Sequence, residues 1–126
     1  MTYRVGVIGL GRIGTESEDS HFKAYQDCLD TEIKGLADNK YLIEETTDVD
    51  SPKGWTKYPN YLDMVREQKL DIVSIATPVE THCQIVCDVA PFVKAIYCEK
   101  PIATTLEEAD RMIEACEKSN VILQVN

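Results

Sequence analysis

The sequence predicts an α/β protein with a doubly wound, mostly parallel sheet of about six strands and helices on both faces, a three-layer α/β/α arrangement. Short apolar runs rich in β-branched residues alternate with helical patterns along the 126 residues, as in successive βαβ units. The run Asp71–Ala76 is almost continuously apolar, which is typical of a strand buried on both faces of a parallel sheet. The length is sufficient for one domain with a single core.

An apolar first strand leads into the pattern Gly-x-Gly-x-x-Gly, formed by Gly9, Gly11 and Gly14. In the nucleotide-binding (Rossmann) form of the fold, the first glycine permits a tight turn and the second lets the backbone approach a pyrophosphate. The third lets the next segment pack closely on the sheet. The amides of Arg12 and Ile13 then face the anion at a helix start. This pattern predicts a dinucleotide site, against the alternative of an ordinary glycine-rich turn.

The first strand is predicted at Tyr3–Ile8. The segment after the glycines, Thr15–Ser20, places three acidic residues near a site for two phosphates, so we expect them to point away or to be offset by Arg12. Ser20 is the predicted N-cap of a helix at His21–Leu29. The apolar face of this helix, at offsets of three and four, consists of Phe22, Tyr25 and Leu29.

The second strand, Glu32–Ala37, ends at Asp38. A carboxylate at this position accepts hydrogen bonds from both hydroxyls of an adenosine ribose and repels a 2′-phosphate, so Asp38 favours NAD. Lys40 could meet a phosphate, which leaves NADP open as the cofactor. A role of Asp38 as a helix N-cap is compatible with either.

The middle of the chain predicts a short helix at Lys40–Thr46, a turn at Ser51–Gly54 and a brief strand at Trp55–Tyr58. Asn60 caps a helix at Tyr61–Glu67. The next strand, Asp71–Ala76, lies beside the first strand across the point where the strand order reverses. Its carboxyl end is Thr77-Pro78, where ligands bind in such sheets.

The last third of the chain predicts a helix at Glu80–Val89 with His82 in its first turn and a strand at Lys94–Cys98. A capping box at Thr105 opens a helix that runs to about Lys118. The final strand is Val121–Val125. The residues at helical spacing in the long helix are Leu106, Ala109, Met112, Ile113 and Cys116.

Composition excludes several classes of function. The net charge is −9, from 22 acidic and 13 basic residues spread along the chain, whereas nucleic-acid binding requires clustered Lys and Arg. No apolar run is long enough to cross a membrane and the N-terminus does not resemble a signal peptide, so we expect a soluble, cytoplasmic protein. The five cysteines have no spacing typical of zinc or disulfides. Cys83 and Cys87 are expected in the core, and no metal site is predicted.

Together these motifs carry a family resemblance. The glycine turn, Asp38, Ala76-Thr77-Pro78 with His82, and above all Cys98-Glu99-Lys100-Pro101 before a Thr-capped helix resemble the glucose–fructose oxidoreductase, inositol dehydrogenase and rhizopine catabolism family. Its members are NAD(P)-dependent oxidoreductases of sugars and polyols. The resemblance covers essentially the whole chain.

The resemblance implies roles for five of these residues. Lys100 contacts the substrate beside the nicotinamide, where an ammonium stabilises alkoxide character as hydride leaves. Glu99 lies near the nicotinamide, Thr77-Pro78 borders the cofactor, and His82 helps to shape that wall. The resemblance also implies a cis Lys100-Pro101 peptide bond.

Relatives continue past the last strand into a substrate-binding α/β domain that supplies the usual acid–base histidine. We therefore expect residues 1–126 to form the cofactor domain of such an enzyme and to bind cofactor without turnover. His21 matches a histidine that stands closer to the glycine turn in most relatives, so Thr15–Ser20 resembles an insertion. The substrate, the reaction direction and the oligomeric state stay open.

Two other classes of function remain open at the sequence level. A non-catalytic sensor of the same fold binds a dinucleotide to regulate a partner, although an intact Lys100 argues against it. A methyltransferase-like protein uses a glycine turn for adenosylmethionine, but gives Lys100 no role.

Overall fold

A computed structural model describes residues 1–11, 14, 20–39 and 54–126. It contains one sheet of six strands, and every neighbouring pair is parallel. The strands are β1 (Tyr3–Ile8), β2 (Thr31–Ala37), β3 (Thr56–Tyr58), β4 (Ile72–Ile75), β5 (Ala95–Cys98) and β6 (Ile122–Val125). Their order across the sheet is β3-β2-β1-β4-β5-β6. This order reverses between β1 and β4, which confirms the predicted doubly wound α/β architecture.

The described helices are α1 (His21–Asp27), α2 (Tyr61–Gln68), α3 (His82–Val89) and α4 (Leu106–Lys118). The three predicted N-caps are confirmed, because the side chains of Ser20, Asn60 and Thr105 each accept a hydrogen bond from a backbone N–H of the first turn. A short 3-10 turn, Val79–Thr81, precedes α3.

Helices cover both faces of the sheet. Val7 and Ile8 are adjacent in β1 and point to opposite faces, and each belongs to a different apolar cluster. The larger cluster, which contains Ile8, packs α2, α3 and α4 against the sheet, whereas the smaller one packs Phe22 and Tyr25 of α1 against Val7. The predicted three-layer arrangement therefore holds in the described part of the chain.

Close packing of α2 depends on two strand glycines. A Cβ atom at Gly35 would lie 2.6 Å from the side chain of Met64, and one at Gly6 would lie 2.9 Å from it. Met64 is completely buried. The missing side chains therefore allow a long core residue of α2 to lie directly on β1 and β2.

Three apolar positions differ from the prediction: Leu29, Leu106 and Ile113, of which Ile113 is 43% exposed. α1 ends at Asp27, and Leu29 is 97% exposed instead of lying on its apolar face. The hydroxyl of Thr31 donates to the carbonyl of Tyr25, which pairs the end of the helix with the start of β2. Leu106 is 82% exposed, because side chains on the first turn of a helix point beyond its N-terminus.

Several predictions fall outside the described residues: the helix at 40–46, most of the turn at 51–54 and the acidic segment at 15–19. All five cysteines are free. Cys83 is buried as expected, whereas Cys87 is only half-buried. In the part of the chain described, none of the helices combines the length and apolar character that a membrane span requires.

Candidate functional site

The carboxyl ends of β1 to β4 surround a cavity of about 910 Å³. Its walls come from the turns after these strands and from the starts of α2 and α3. The described lining residues are Ile8, Gly9, Gly11, Ala37, Asp38, Asn39, Pro59, Asn60, Tyr61, Leu62, Ala76, Thr77, Pro78, Glu80, Thr81, Gln84 and Ile85. The cavity therefore lies where ligands bind in open α/β sheets.

The glycine turn forms one wall of this cavity. Gly9 has φ +97°, and a Cβ there would lie 2.6 Å from the carbonyl oxygen of Ala76, so this position requires glycine. A Cβ at Gly14 would lie 1.8 Å from the carbonyl oxygen of Gly9. At Gly11 a Cβ would meet no atom of the described residues within 4 Å. The first and third glycines thus pack against protein, and the second faces open space. Arg12 and Ile13 lie outside the described residues.

Asp38 stands next to the glycine turn, directly after β2. Its Oδ2 accepts a hydrogen bond of 2.8 Å from the backbone N–H of Leu10, and its own N–H donates to the carbonyl of Tyr58 at 3.2 Å. These bonds fix the carboxylate beside the glycine turn. The other acidic side chain among the described lining residues is Glu80.

The turn after β4 carries a small network of hydroxyl groups. Thr81 donates to the carbonyl of Pro78 at 2.6 Å, and its Oγ1 lies 2.6 Å from the hydroxyl of Thr77. Since the hydrogen of Thr81 is used on Pro78, Thr77 donates to Thr81. Thr77 and Pro78 both line the cavity.

His82 lies behind this wall, since its side chain is only 1% exposed and is not among the described cavity-lining residues. Its Nε2 is 2.9 Å from the carbonyl oxygen of Thr77, and its Nδ1 is 3.0 Å from that of Pro101 and 3.2 Å from that of Ile102. The ring therefore connects the turn after β4 to the turn after β5.

Glu99 and Lys100 follow β5, the next strand beyond the cavity. The carboxylate of Glu99 lies 2.8 Å from Nε2 of His21 and 3.2 Å from Nδ2 of Asn126. Lys100 is exposed, and the Lys100-Pro101 peptide bond is cis, as the resemblance implies. Neither Glu99 nor Lys100 is among the described residues that line the cavity.

The charge of Glu99 is stabilised by hydrogen bonding. Burial raises the pKa of its carboxyl group, but bonds from His21, Asn126 and the backbone N–H of Lys100 outweigh burial and leave the pKa below its ordinary value. The carboxylate form is therefore the stable form at neutral pH.

The site fits a dinucleotide at three points. Gly11 leaves open space where a pyrophosphate approaches the backbone, Asp38 stands at the end of β2 where a ribose is bound, and one cavity joins them. The family model for an oxidoreductase family with an NAD-binding Rossmann fold (Gfo/Idh/MocA) matches residues 3–126. The chain belongs to this family.

Known members of this oxidoreductase family cover the chain almost completely. Myo-inositol 2-dehydrogenase of Thermotoga maritima is 31% identical over 95% of the chain and 34% of the relative. D-xylose 1-dehydrogenase [NADP(+)] of Haloarcula marismortui is 30% identical over 97% of the chain and 34% of the relative. The chain thus spans about a third of the length of these curated relatives.

A solved dehydrogenase structure has the same fold as this chain. The WlbA dehydrogenase of Bordetella pertussis, in complex with NADH and UDP-GlcNAcA, matches 100% of this chain and 37% of its own with a TM-score of 0.84 and 26% identity. The comparisons confirm the family predicted from the sequence, and they give no support to the non-catalytic alternative.

Sequence reasoning did not identify the cavity wall formed by Asn60, Tyr61 and Gln84. It also missed the contact between His21 and Glu99. Asn60 follows β3 as Asp38 follows β2, so its place in the strand order was the available signal. His21 lies 78 residues from Glu99, and no local pattern links the two.

Proposed function

We propose that this chain binds NAD and forms the cofactor-binding part of a dehydrogenase that oxidises a carbinol carbon of a sugar, polyol or related hydroxy compound. The observation that carries the proposal is that the glycine turn and Asp38 line one cavity at the carboxyl edge of the sheet. Membership of an NAD-binding oxidoreductase family supports the same cofactor.

The strand order orients the cofactor. Asp38 follows β2, the glycine turn follows β1, and Thr77-Pro78 follows β4. With the adenosine ribose at Asp38 and the pyrophosphate at Gly11, Thr77-Pro78 and the residues after β5 would hold the nicotinamide half. Lys100 directly follows Glu99 after β5, which supports its assignment to that end.

The described lining residues favour NAD over NADP. They include the carboxylates of Asp38 and Glu80, and a 2′-phosphate beside Asp38 would be repelled. One relative is a D-xylose 1-dehydrogenase [NADP(+)], so the affinities for both cofactors must be measured.

Lys100 is the residue that we assign to the reacting end. Bound NAD supplies the hydride acceptor. The exposed ammonium of Lys100 can donate a hydrogen bond to the carbinol oxygen of a substrate and stabilise the negative charge that develops there. Pro101 and Glu99 hold the backbone on either side of this lysine.

Calorimetric titration of the purified chain with NADH, NADPH and adenosylmethionine tests this function. We expect NADH to bind most tightly, NADPH more weakly and adenosylmethionine not at all. The opposite ranking of NADH and adenosylmethionine, or no binding of NADH, would overturn the proposal.

A further inference from the structure

His21 is a buried polar residue whose contacts the proposed chemistry does not use. It is the first residue of α1 and is 6% exposed. Its ring packs against that of Tyr97 with centroids 5.1 Å apart. Ser20, which is fully buried, caps the helix directly before it. The backbone that carries this ring is therefore fixed.

Both nitrogens of the His21 ring have polar partners. Nδ1 lies 2.5 Å from the hydroxyl oxygen of Ser74 in β4, and Nε2 lies 2.8 Å from Oε1 of Glu99 after β5. A carboxylate only accepts, so Nε2 carries the hydrogen and donates it to Glu99. The ring thus joins α1 to two neighbouring strands.

Glu99 connects the His21 ring to the backbone at Lys100. Its carboxylate accepts hydrogen bonds from His21 and Asn126, and Glu99 directly precedes Lys100 in the chain. On the other side of Lys100, the carbonyls of Pro101 and Ile102 face the ring of His82. The lysine therefore stands between two anchored residues, and its exposed side chain is the part that remains free to reach a ligand.

We propose that His21 is a positioning residue for Lys100, acting through the carboxylate of Glu99. This inference rests on the proposed function, because it assigns a purpose to the fixed orientation of Lys100. The hydrogen bond from Nε2 of His21 to Glu99 has a defined geometry, so it fixes the orientation of that carboxylate. Hydride transfer depends on such precise placement of groups.

The first experiment needs no cofactor. Nitrogen-15 NMR of the wild-type ring should show a hydrogen on Nε2 of His21. His21→Leu should shift the backbone and side-chain signals of Lys100, and His21→Gln, which can still donate to Glu99, should restore most of that shift. Tyr58→Phe is the matched control, because it removes a hydrogen-bonding hydroxyl in β3, at the far edge of the sheet. The proposal would be overturned if the chemical shifts of Lys100 did not change in His21→Leu, or if they changed equally in Tyr58→Phe.

The second experiment uses the fluorescence of bound NADH. His21→Leu should change the nicotinamide emission while the Kd stays within about threefold, a small change in binding free energy, because the phosphate and ribose contacts lie at β1 and β2. In a Lys100→Met background, His21→Leu should have no further effect. An equal effect with and without Lys100 would refute action through the lysine. Absence of NADH binding by the wild type would instead refute the proposed function, and the NMR arm would still decide whether His21 holds the turn.

Discussion

The α-carbon of Gly14 packs against the carbonyl oxygen of Gly9, so closely that a Cβ at Gly14 would lie 1.8 Å from that oxygen. Because both partners are backbone, no side-chain rotation relieves the overlap. We expect Gly14→Ala to lower the free energy of unfolding by about 3 kcal/mol, the upper part of the range for overpacking. Urea unfolding followed by circular dichroism measures this change.

Gly11 provides the matched control. A Cβ there meets no atom within 4 Å in the part of the chain that the structure describes, so Gly11→Ala should alter the free energy of unfolding by less than about 0.5 kcal/mol. The added methyl group occupies the space that a pyrophosphate needs, and NADH should bind about tenfold more weakly or worse. If Gly11→Ala unfolds as easily as Gly14→Ala, or binds NADH like the wild type, the assignment of the two glycines is wrong.

Asp38→Ala tests the ribose contact. Loss of one or two charged hydrogen bonds should weaken NADH binding by roughly 1.5 to 3 kcal/mol. NADPH should lose less, because its 2′-phosphate no longer meets a carboxylate. Calorimetry with both cofactors gives the comparison.

Asp38→Ala also removes the hydrogen bond from the backbone N–H of Leu10 to Asp38, so a control variant must keep that bond. Asp38→Asn keeps an oxygen that can accept from Leu10 and removes only the charge. If NADH affinity is the same in the wild type and in Asp38→Ala, the carboxylate does not bind the ribose.

Stability should decrease in acid because of Asp71. Its Oδ2 accepts from the N–H of Arg4 at 2.9 Å, its Oδ1 lies 2.7 Å from Nζ of Lys94, and these contacts hold the pKa of the carboxyl group below its ordinary value of 3.8. A group whose pKa is lower in the folded state stabilises the fold above its unfolded pKa, and this contribution is lost as the pH falls through the folded pKa. The pKa of Glu99 is also lowered, so it adds an effect of the same sign.

Urea unfolding of the wild type and of Asp71→Asn between about pH 7 and pH 2.5 measures this linkage. The wild type should be the more stable protein at neutral pH, and the difference should shrink as the pH falls below 3.8. A difference that stays constant over this range would show that the charge of Asp71 is not linked to folding.

Local patterns predicted most of the fold. The N-caps at Ser20, Asn60 and Thr105, the glycine turn and the position of Asp38 all follow from residues within a few positions of one another. The end of α1 was misplaced because the hydroxyl of Thr31, which belongs to the next strand, bonds to the carbonyl of Tyr25. Tertiary pairing here overrides the helical spacing that includes Leu29.

The surroundings of Lys100 were harder to predict. The motif identified the lysine, but its anchoring depends on contacts across the sheet, from His21 to Glu99 and from His82 to Pro101. Such contacts exist only once β4 and β5 are neighbours, and the spacing of residues in one chain does not show which buried side chains then meet. The motif likewise assigned His82 to shaping the Thr77-Pro78 wall, but it did not show that the ring lies behind this wall and contacts the carbonyl of Thr77.

The last prediction is that this chain binds NADH but does not oxidise substrate at a measurable rate. Hydride transfer needs the carbinol carbon held against the nicotinamide and a base for the hydroxyl proton. Positioning of the reactants lowers the activation free energy by roughly 7 to 11 kcal/mol, and acid–base catalysis raises the rate by about a hundredfold or more. Lys100 is exposed, and the chain spans about a third of the length of its dehydrogenase relatives.

The two histidines do not supply the base, because His21 is buried between Ser74 and Glu99 and His82 is buried against backbone carbonyls. Incubation with NAD and a panel of polyols and sugars, followed by absorbance of NADH, should give a rate equal to that of Lys100→Met. Binding of NADH, measured in parallel, confirms that the sample is competent for cofactor. Sustained turnover of any one compound that disappears in Lys100→Met would show that these 126 residues already hold a complete active site.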